Sequence, residues 1–344
     1  MRKFGLLAFF AIMMMVVAPA FAQDQTIADI VVASAGAETP EFATLLAAVS
    51  AADPAVLEAL SNPEAELTVF APTDAAFAAL AEALGEEAFA GVLADTEALT
   101  GILTFHVVSG KVMSADVVGL LEASKEGMME EGAMGSVSVQ SLNGQFIDIA
   151  ESDMGITVNG ANLNLEMVDI EASNGVIHVI DAVILPESRT IAEIVVESAG
   201  AETPEFATLL AAVSAADPAV LELLSDPEAE LTVFAPTDAA FAAVGEETLG
   251  AVLADQALLT SILQYHVMVG KIYSTDVATV VEENMEAVMG DGVELPTALE
   301  GVSVVLTANE EGQLFLNESQ IVVTDVDAAN GVIHVIDAVL LPPQ

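Results

Sequence analysis

The sequence predicts an α+β fold that is built twice along one chain. In each half, helix signals come first and β-hairpin signals follow, without the strand–helix alternation of α/β folds. Residues 26–80 return as residues 190–244 with five differences, and the offset of 164 residues suits one domain rather than a solenoid repeat. A residue present in only one copy is therefore a poor candidate for a function that both copies share.

The first amphipathic helix of each copy is predicted just after a Thr-Pro pair. Thr39 and Thr203 are the expected N-caps, because proline suits the first helical position. Apolar residues then recur at i, i+3, i+4 and i+7, which indicates one buried helical face ending near Asp53-Pro54 in the first copy. These stripes comprise Phe42, Leu45, Leu46 and Val49, and in the repeat Phe206, Leu209, Leu210 and Val213.

A short strand is predicted next, from Leu67 to Phe70. Thr73 or Asp74 is expected to cap the helix that follows it. After further helix, the apolar segment from Phe105 to Val108 is predicted to be a strand.

The later part of each copy has the signals of β-hairpins. In the first copy, the pairs Asn143-Gly144, Asn159-Gly160 and Asn174-Gly175 separate alternating segments and predict tight type I′ turns. The second copy keeps the last of these pairs as Asn330-Gly331.

The N-terminus has the pattern of a secretory signal peptide. Two cations precede an apolar run, and a small-residue ending predicts cleavage after Ala22, so that residues 1–22 form the leader. No second apolar stretch of that length follows, which predicts a secreted or periplasmic chain without membrane insertion. The absence of cysteine excludes disulfides and thiolate metal sites.

The mature chain is strongly acidic. Without the leader, four cations face fifty-three acids, a net charge of −49. Nucleic acid is excluded as a partner, because phosphate contacts need Lys and Arg. We expect loose association with divalent cations. The acidity indicates either a well-solvated surface or adaptation to saline water, in which self-repulsion is screened.

Two segments that occur in both copies resemble the conserved motifs of fasciclin domains. The first runs from Thr68 to Phe77 and returns from Thr232 to Phe241; the second runs from Asn174 to Asp181 and returns from Asn330 to Asp337. Between them, Tyr265-His266 is similar to the family's Tyr-His element, for which the first copy has Phe105-His106.

This resemblance implies a secreted protein of bacterial type with two tandem fasciclin-like domains. Residues 23–187 and 188–344 are the expected domains, joined by a short proline-containing link that is expected to restrict their arrangement. Each domain is expected to be a β-rich wedge packed with N-terminal and mid-domain helices. The implied function is adhesion or extracellular interaction.

The four histidines occupy matched places, His106 with His266 and His178 with His334. Neither pair has the local spacing of a metal site, so we interpret them as structural. The residues expected to be structural in the two conserved motifs are Thr73, Asp74, His178, Asp181, Thr237, Asp238, His334 and Asp337.

No cofactor, metal site or catalytic residue is predicted. Ser109 follows His106, but its place in the second copy is Val269, so a serine nucleophile is not shared. Asp169-x-Glu171 and Asp325-x-Asp327 could belong to calcium loops or to simple turns. The turn interpretation is preferred, because glycine falls one position late for a calcium loop.

The predicted function is a non-enzymatic binding or adhesion module that contacts an extracellular or envelope protein or polysaccharide with both copies. The alternative is a glycan or small apolar ligand bound in a domain pocket. Lys111 and Lys271 either pair with acids such as Asp116 and Asp276 or receive a partner's carboxylate. The expected contact residues are Phe105, His106, Lys111, Tyr265, His266 and Lys271.

Overall fold

The computed structural model describes residues 25–37, 40–125, 134–153, 155–201, 203–309 and 312–343. The chain divides into two compact units, the first ending at Pro186 and the second beginning at Glu187. The leader with its cleavage site and the N-cap predicted at Thr39 lie outside the described residues.

Within the described residues, the first unit contains seven helices and eight strands. The helices are α1 (Ile27–Ala35), α2 (Ala43–Ala51), α3 (Pro54–Ser61), α4 (Asp74–Leu84), α5 (Glu86–Ala94), α6 (Thr96–Phe105) and α7 (Ser114–Ser124). The strands are β1 (Leu67–Pro72), β2 (Val107–Ser109), β3 (Ser136–Gln140), β4 (Phe146–Ser152), β5 (Gly155–Val158), β6 (Ala161–Asn162), β7 (Ile170–Ala172) and β8 (Gly175–Ile180).

The described part of the second unit repeats this order with small changes. Its helices are α8 (Ile191–Ala199), α9 (Ala207–Ala215), α10 (Pro218–Ser225), α11 (Asp238–Val244), α12 (Glu246–Ala254), α13 (Gln256–Tyr265), α14 (Ser274–Glu283) and α15 (Met285–Val288). Its strands are β9 (Leu231–Pro236), β10 (Val267–Val269), β11 (Val293–Pro296), β12 (Ser303–Ala308), β13 (Leu314–Leu316), β14 (Ser319–Ala328) and β15 (Gly331–Ile336). The α+β prediction is confirmed.

A parallel strand pair lies at the centre of each unit. β1 pairs with β8 from Leu67 opposite Gly175 to Pro72 opposite Ile180, and β9 pairs with β15 in the same register. Both strands are buried along their whole length, as parallel strands covered on two faces generally are. The two conserved motifs, about a hundred residues apart in sequence, therefore lie side by side.

The two faces of the central pair contribute to different cores. In the first unit, Val69 and Val179 pack with the helices α1 to α6, whereas Phe70 and Ile180 pack against β4, β5 and α7. The second unit has the same two clusters. The alternation follows from the two-residue period of a strand, and it places a helical layer on one face and strands on the other.

The start predicted for the helix after the Thr-Pro pair, which is α2 in the first unit and α9 in the second, is wrong. α2 begins at Ala43 and α9 begins at Ala207, after Phe42 and Phe206, which offer no side-chain cap. Thr203 is therefore not an N-cap. The missing acceptor comes from elsewhere in the chain: in the first unit, the Asp74 carboxylate accepts hydrogen bonds from the N–H groups of Ala43 and Thr44.

Only one of the three predicted Asn-Gly turns in the first unit has positive φ at both residues. That turn is Asn159-Gly160, with φ of 45° and 81°. At Asn143 the side-chain oxygen instead accepts the N–H of Gln145, which shapes a longer loop. Asn174 also lacks positive φ, and its side chain bonds to distant backbone groups instead of shaping a tight turn.

Candidate functional site

The first conserved motif caps two helices with adjacent residues. The Thr73 hydroxyl accepts the N–H of Ala76 and caps its own helix, α4, as predicted. Asp74 caps α2 at distances of 3.2 Å to the Ala43 nitrogen and 2.6 Å to the Thr44 nitrogen. Burial tends to raise the pKa of Asp74, but these hydrogen bonds outweigh it and lower the pKa. Thr237 and Asp238 repeat the arrangement on α11 and α9.

His106 and His266 join the end of a helix to the last segment of each unit. Their Nδ1–H groups donate to the carbonyls of Ile102 (2.7 Å) and Ile262 (2.8 Å) in the helix that each histidine terminates. Their Nε2 atoms accept the backbone N–H of Ile184 (3.1 Å) and Leu340 (3.0 Å). Burial lowers the pKa of both rings to about 4, against the opposing effect of the carbonyl hydrogen bond.

His178 and His334 have the other neutral tautomer. In the first unit, His178 Nε2–H donates to the carbonyl of Val112 (2.9 Å), and Nδ1 accepts the N–H of Asp169 (3.3 Å). His334 makes the matching bonds to Ile272 and Asp325. Burial lowers the pKa of His334, although the Ile272 carbonyl and the Asp325 carboxylate oppose this shift.

Asp169 and Asp325 also hold the start of the helix beneath the histidine. The Asp169 carboxylate accepts both the N–H (2.8 Å) and the hydroxyl (2.5 Å) of Ser114, and Asp325 does the same for Ser274. Both aspartates have positive φ, 55° and 59°, which brings the main-chain N–H to the ring and the carboxylate to the serine. The resulting Ser–Asp–His arrangement is not a catalytic triad, because the histidine meets the aspartate main chain and does not contact the serine.

The hydrogen bonds of the four histidines support a structural role. All eight ring nitrogens bond to backbone groups, so none is left for proton transfer or for a metal in this conformation. Among the described residues, no group of three or more His, Asp or Glu side chains is placed to hold a metal ion. The aspartates that end the second motif are used in the same way: Asp181 and Asp337 accept the N–H groups of Asn162 and Gln320.

The aromatic and histidine residues predicted to contact a partner are buried. Phe105, His106, Tyr265 and His266 are each at most 3% exposed. The predicted strand also starts later, because α6 runs through Phe105 and β2 begins at Val107. The prediction of direct contact is therefore wrong for these four residues. An apolar run containing an aromatic residue and a histidine does not distinguish the end of a buried helix from a strand.

The Tyr265 hydroxyl ties the helix α13 to the strands of its own unit. It donates to the carbonyl of Ser303 (3.0 Å) and accepts the side-chain N–H of Asn317 (3.0 Å). Phe105 fills the matching place with a ring alone. The first copy, with phenylalanine at this place, therefore lacks the internal hydrogen bonds of the tyrosine hydroxyl. Its exposed surface is unaffected, because both side chains are buried.

Lys111 and Lys271 both bond within their own unit, although not to the acids that were expected. Lys111 pairs with Glu171 (2.9 Å), and Lys271 donates to the carbonyl of Ala329 (3.2 Å). Asp116 instead accepts the N–H of Met113 and closes a helix N-terminus, and Asp276 does so for Tyr273. Glu171 is thus paired with Lys111, and Asp169 is bonded to Ser114, so both acids are used internally. This supports the turn interpretation over a calcium loop.

Asn174 and Asn330 are structural residues that the sequence pattern did not reveal. The Asn174 side chain accepts the N–H of Ile27 (2.8 Å) and donates to the carbonyls of Leu60 (2.9 Å) and Asn62 (3.0 Å). Asn330 makes the same three bonds in the second unit. An Asn-Gly pair is typical of a turn. The one sequence signal for a structural role is that the pair occurs before the motif histidine in both copies.

Comparison with known proteins decides the family. A family model described as "Fasciclin domain" matches residues 40–186 and again residues 204–342. The chain belongs to the fasciclin family. The resemblance inferred from the two motifs is thereby confirmed, and the residues that carry it are those that tie each fasciclin domain together. Fasciclin domains are typically adhesion or binding modules.

Individual fasciclin relatives come from bacteria and animals. The chain is 38% identical over 159 residues to Protein sll1483 of Synechocystis sp., covering 46% of this chain and 76% of that protein. It is 32% identical over 217 residues to human periostin, covering 63% of this chain but 22% of periostin. A solved FAS1 domain pair from the insect cell adhesion molecule fasciclin I aligns with 89% of this chain and 98% of its own, at 18% identity and a TM-score of 0.40.

No single helix in the described ranges has the length and apolar character needed to cross a membrane. The consecutive helices α5 and α6 meet that criterion only when taken together, with a bend of 90° between them.

Proposed function

We propose that the chain is an exported, non-enzymatic binding module that holds a repetitive extracellular or envelope partner through equivalent surfaces of its two domains. The observation that carries the proposal is the helical layer shared by both domains. It is built mainly from residues 26–80 and 190–244, which differ at only five positions. A partner group that fits one copy will therefore fit the other.

The shared layer exposes the same apolar side chains twice. Leu57 on α3 and Leu221 on α10 are 42% and 41% exposed, and Val32 on α1 and Val196 on α8 are about half exposed. Single exposed apolar residues are common on protein surfaces. Their repetition with equal exposure gives the two domains matching contact points, and this supports the helical layer as the binding surface in place of the buried Phe105–His106 region.

The internal contacts of the conserved residues support a binding role over catalysis. The motif histidines, threonines and aspartates bond to the backbone of their own domain, as described above. Lys111 and Lys271 are similarly engaged, so a partner carboxylate would have to displace an existing contact. The binding energy is thus proposed to come from shape complementarity and apolar contact rather than from ion pairs with Lys111 and Lys271.

Export and loose cation association complete the proposal. The leader at residues 1–22 supports secretion or a periplasmic location. The acidic surface is expected to gather divalent cations without a defined site. A glycan held by ring stacking is less favoured, since tryptophan is absent and Tyr265 and Tyr273 are both buried.

The test is binding of the mature chain to native envelope or matrix material, compared among Leu57→Ser, Leu221→Ser and the double variant. Two linked sites raise apparent affinity by about 10²–10⁴ over one site. We expect each single variant to lose most of this gain and the double variant to lose binding altogether.

Leu165→Ser is the matched control, because Leu165 is exposed but belongs to the part that differs between the domains. It should bind as the unsubstituted chain does. Equal binding by the two single variants and the unsubstituted chain would contradict bivalent contact.

A further inference from the structure

Both domains contain a groove of the same construction, between two of their helices. In the first domain it lies between α3 and α6 and is bounded by Val107 of β2. In the second it lies between α10 and α13 and is bounded by Val267 of β10. Pairs with identical residues in both grooves are Asp53/Asp217, Ala55/Ala219, Val56/Val220, Leu60/Leu224, Thr100/Thr260 and Val107/Val267.

Three further pairs line both grooves with different residues, namely Ala59/Leu223, Thr104/Gln264 and Leu142/Ala298. The last pair is equivalent by hydrogen bonding, although its sequence surroundings differ. The Leu142 N–H donates to the carbonyl of Val107 (2.8 Å), and the Ala298 N–H donates to the carbonyl of Val267 (2.7 Å). The grooves therefore share one frame and differ at three wall positions.

The groove of the second domain is much larger. Its volume is about 470 Å³, against about 130 Å³ in the first. Ligand pockets generally measure about 300–1,000 Å³, so only the second groove reaches that range. We attribute the smaller volume of the first groove to Leu142, which places an isobutyl group where Ala298 has a methyl. At the other two differing positions the first groove has the smaller side chain, Ala59 against Leu223 and Thr104 against Gln264.

The wall chemistry of the larger groove selects an aliphatic molecule. The wall carries alanine, valine and leucine side chains and no aromatic ring, which disfavours sugars and flat ring systems. The Thr260 hydroxyl accepts the N–H of Asp217 (3.1 Å). The partly exposed Gln264 amide makes no hydrogen bond to any other described residue, which leaves it available to a ligand hydroxyl or amide.

Charge disfavours an anionic ligand. The Asp217 carboxylate lies at the groove, and the chain as a whole carries a formal net charge of −47. A fatty acid anion would meet repulsion from both. An uncharged head group meets none and can bond to Gln264.

We propose that the groove between α10 and α13 binds an uncharged aliphatic amphiphile, with its chain along Val220, Leu223 and Leu224 and its polar end at Gln264. This site goes beyond the proposed binding-module function and does not depend on it. The first domain keeps the same frame, but Leu142 closes it to such a ligand.

The experiment measures binding of 1-decanol and of decanoate to the full mature chain by NMR titration at neutral pH and low salt. We expect one site for decanol in the second domain and at least about tenfold weaker binding of decanoate. High salt should narrow that difference, since it screens the repulsion. Absence of decanol binding, or equal binding of decanoate at low salt, would overturn the proposal.

Three variants locate the site. Ala298→Leu should reproduce the narrow groove and weaken decanol binding about tenfold or more, while Leu142→Ala should create a second site in the first domain. Gln264→Ala removes both the donor and the acceptor of the side chain and should weaken decanol binding. Val322→Thr, exposed on β14 and outside the groove, is the control and should change nothing. Unaltered decanol binding in both Ala298→Leu and Gln264→Ala would refute this location.

Discussion

At the scale of single residues, the histidines show how one residue type can be structural in two ways. His106 and His266 carry their proton on Nδ1, whereas His178 and His334 carry it on Nε2, because each ring meets a carbonyl on a different side. In both cases the neutral ring bridges two backbone groups that are distant in sequence. Protonation would convert an accepting nitrogen into a donor facing an N–H group.

The stability of each domain should therefore depend on pH and should decrease in acid. The folded pKa of His106 and His266 is about 4, below the ordinary value of 6.5. The unfolded chain takes up these protons first, so the stabilisation is complete above pH 6.5 and is lost as the pH falls from 6.5 towards 4. The loss is roughly 3 kcal/mol for each ring.

NMR titration of the ring C–H signals measures this directly. We expect the signals of His106 and His266 to stay constant as the pH falls well below 6.5. A midpoint near 6.5 for either ring would contradict the account.

The tertiary cap of α2 gives a second prediction. Asp74→Ala removes the acceptor for two N–H groups and should destabilise the first domain by about 1–2 kcal/mol. Hydrogen exchange at the amides of Ala43 and Thr44 should rise most. Glu58→Ala, at an exposed position of α3, is the control, and an equal change in both variants would show that the cap is unimportant.

At the scale of elements, the close approach of β1 and β8 depends on glycine. A Cβ on Gly175 would lie 2.0 Å from the carbonyl oxygen of Leu67, and one on Gly331 would lie 2.2 Å from that of Leu231. The parallel strands that carry the motifs would have to separate to admit a side chain.

Gly175→Ala and Gly331→Ala should therefore destabilise their own domains by about 2–3 kcal/mol. Gly101→Ala in α6 is the matched control: a Cβ there meets nothing within 4 Å, so alanine should stabilise the helix by about 0.5–1 kcal/mol. Urea unfolding of the three variants checks the comparison. Similar stability of the Gly101 and Gly175 variants would rule out the proposed steric contact.

The sequence predicted local features well and distant ones poorly. The cap at Thr73 and the structural role of the histidines follow from neighbouring residues and from the internal repeat. The partner of Asp74 and the β1–β8 pairing join segments about thirty and a hundred residues apart, and no local period encodes such pairings. The burial of Phe105 and the three differences between the grooves likewise depend on which helices meet around them.

At the scale of the whole molecule, charge is the dominant feature. Fifty-three acids face six cations in the full chain, and self-repulsion of this kind destabilises the compact state. The Debye length falls from about 10 Å at 0.1 M salt to about 3 Å at 1 M. The melting temperature of the mature chain should therefore rise steadily with NaCl.

Sucrose at matched osmolarity is the control, because it leaves the charges unscreened. A melting temperature that is constant or falls with NaCl would mean that the acidic side chains are spaced widely enough to be indifferent to one another.

The identical central strands raise a problem of recognition during folding. β1 and β9 have the same six residues, as do β8 and β15, and the two pairs use one register. β9 would thus find an equally good complement in β8, and a mispaired chain would forfeit no contact within the strand pair itself. Synthesis from the N-terminus removes the ambiguity, since residues 67–180 are complete before the twin strand at 231–236 leaves the ribosome. Refolding from denaturant lacks that temporal order, and mispaired species should accumulate there.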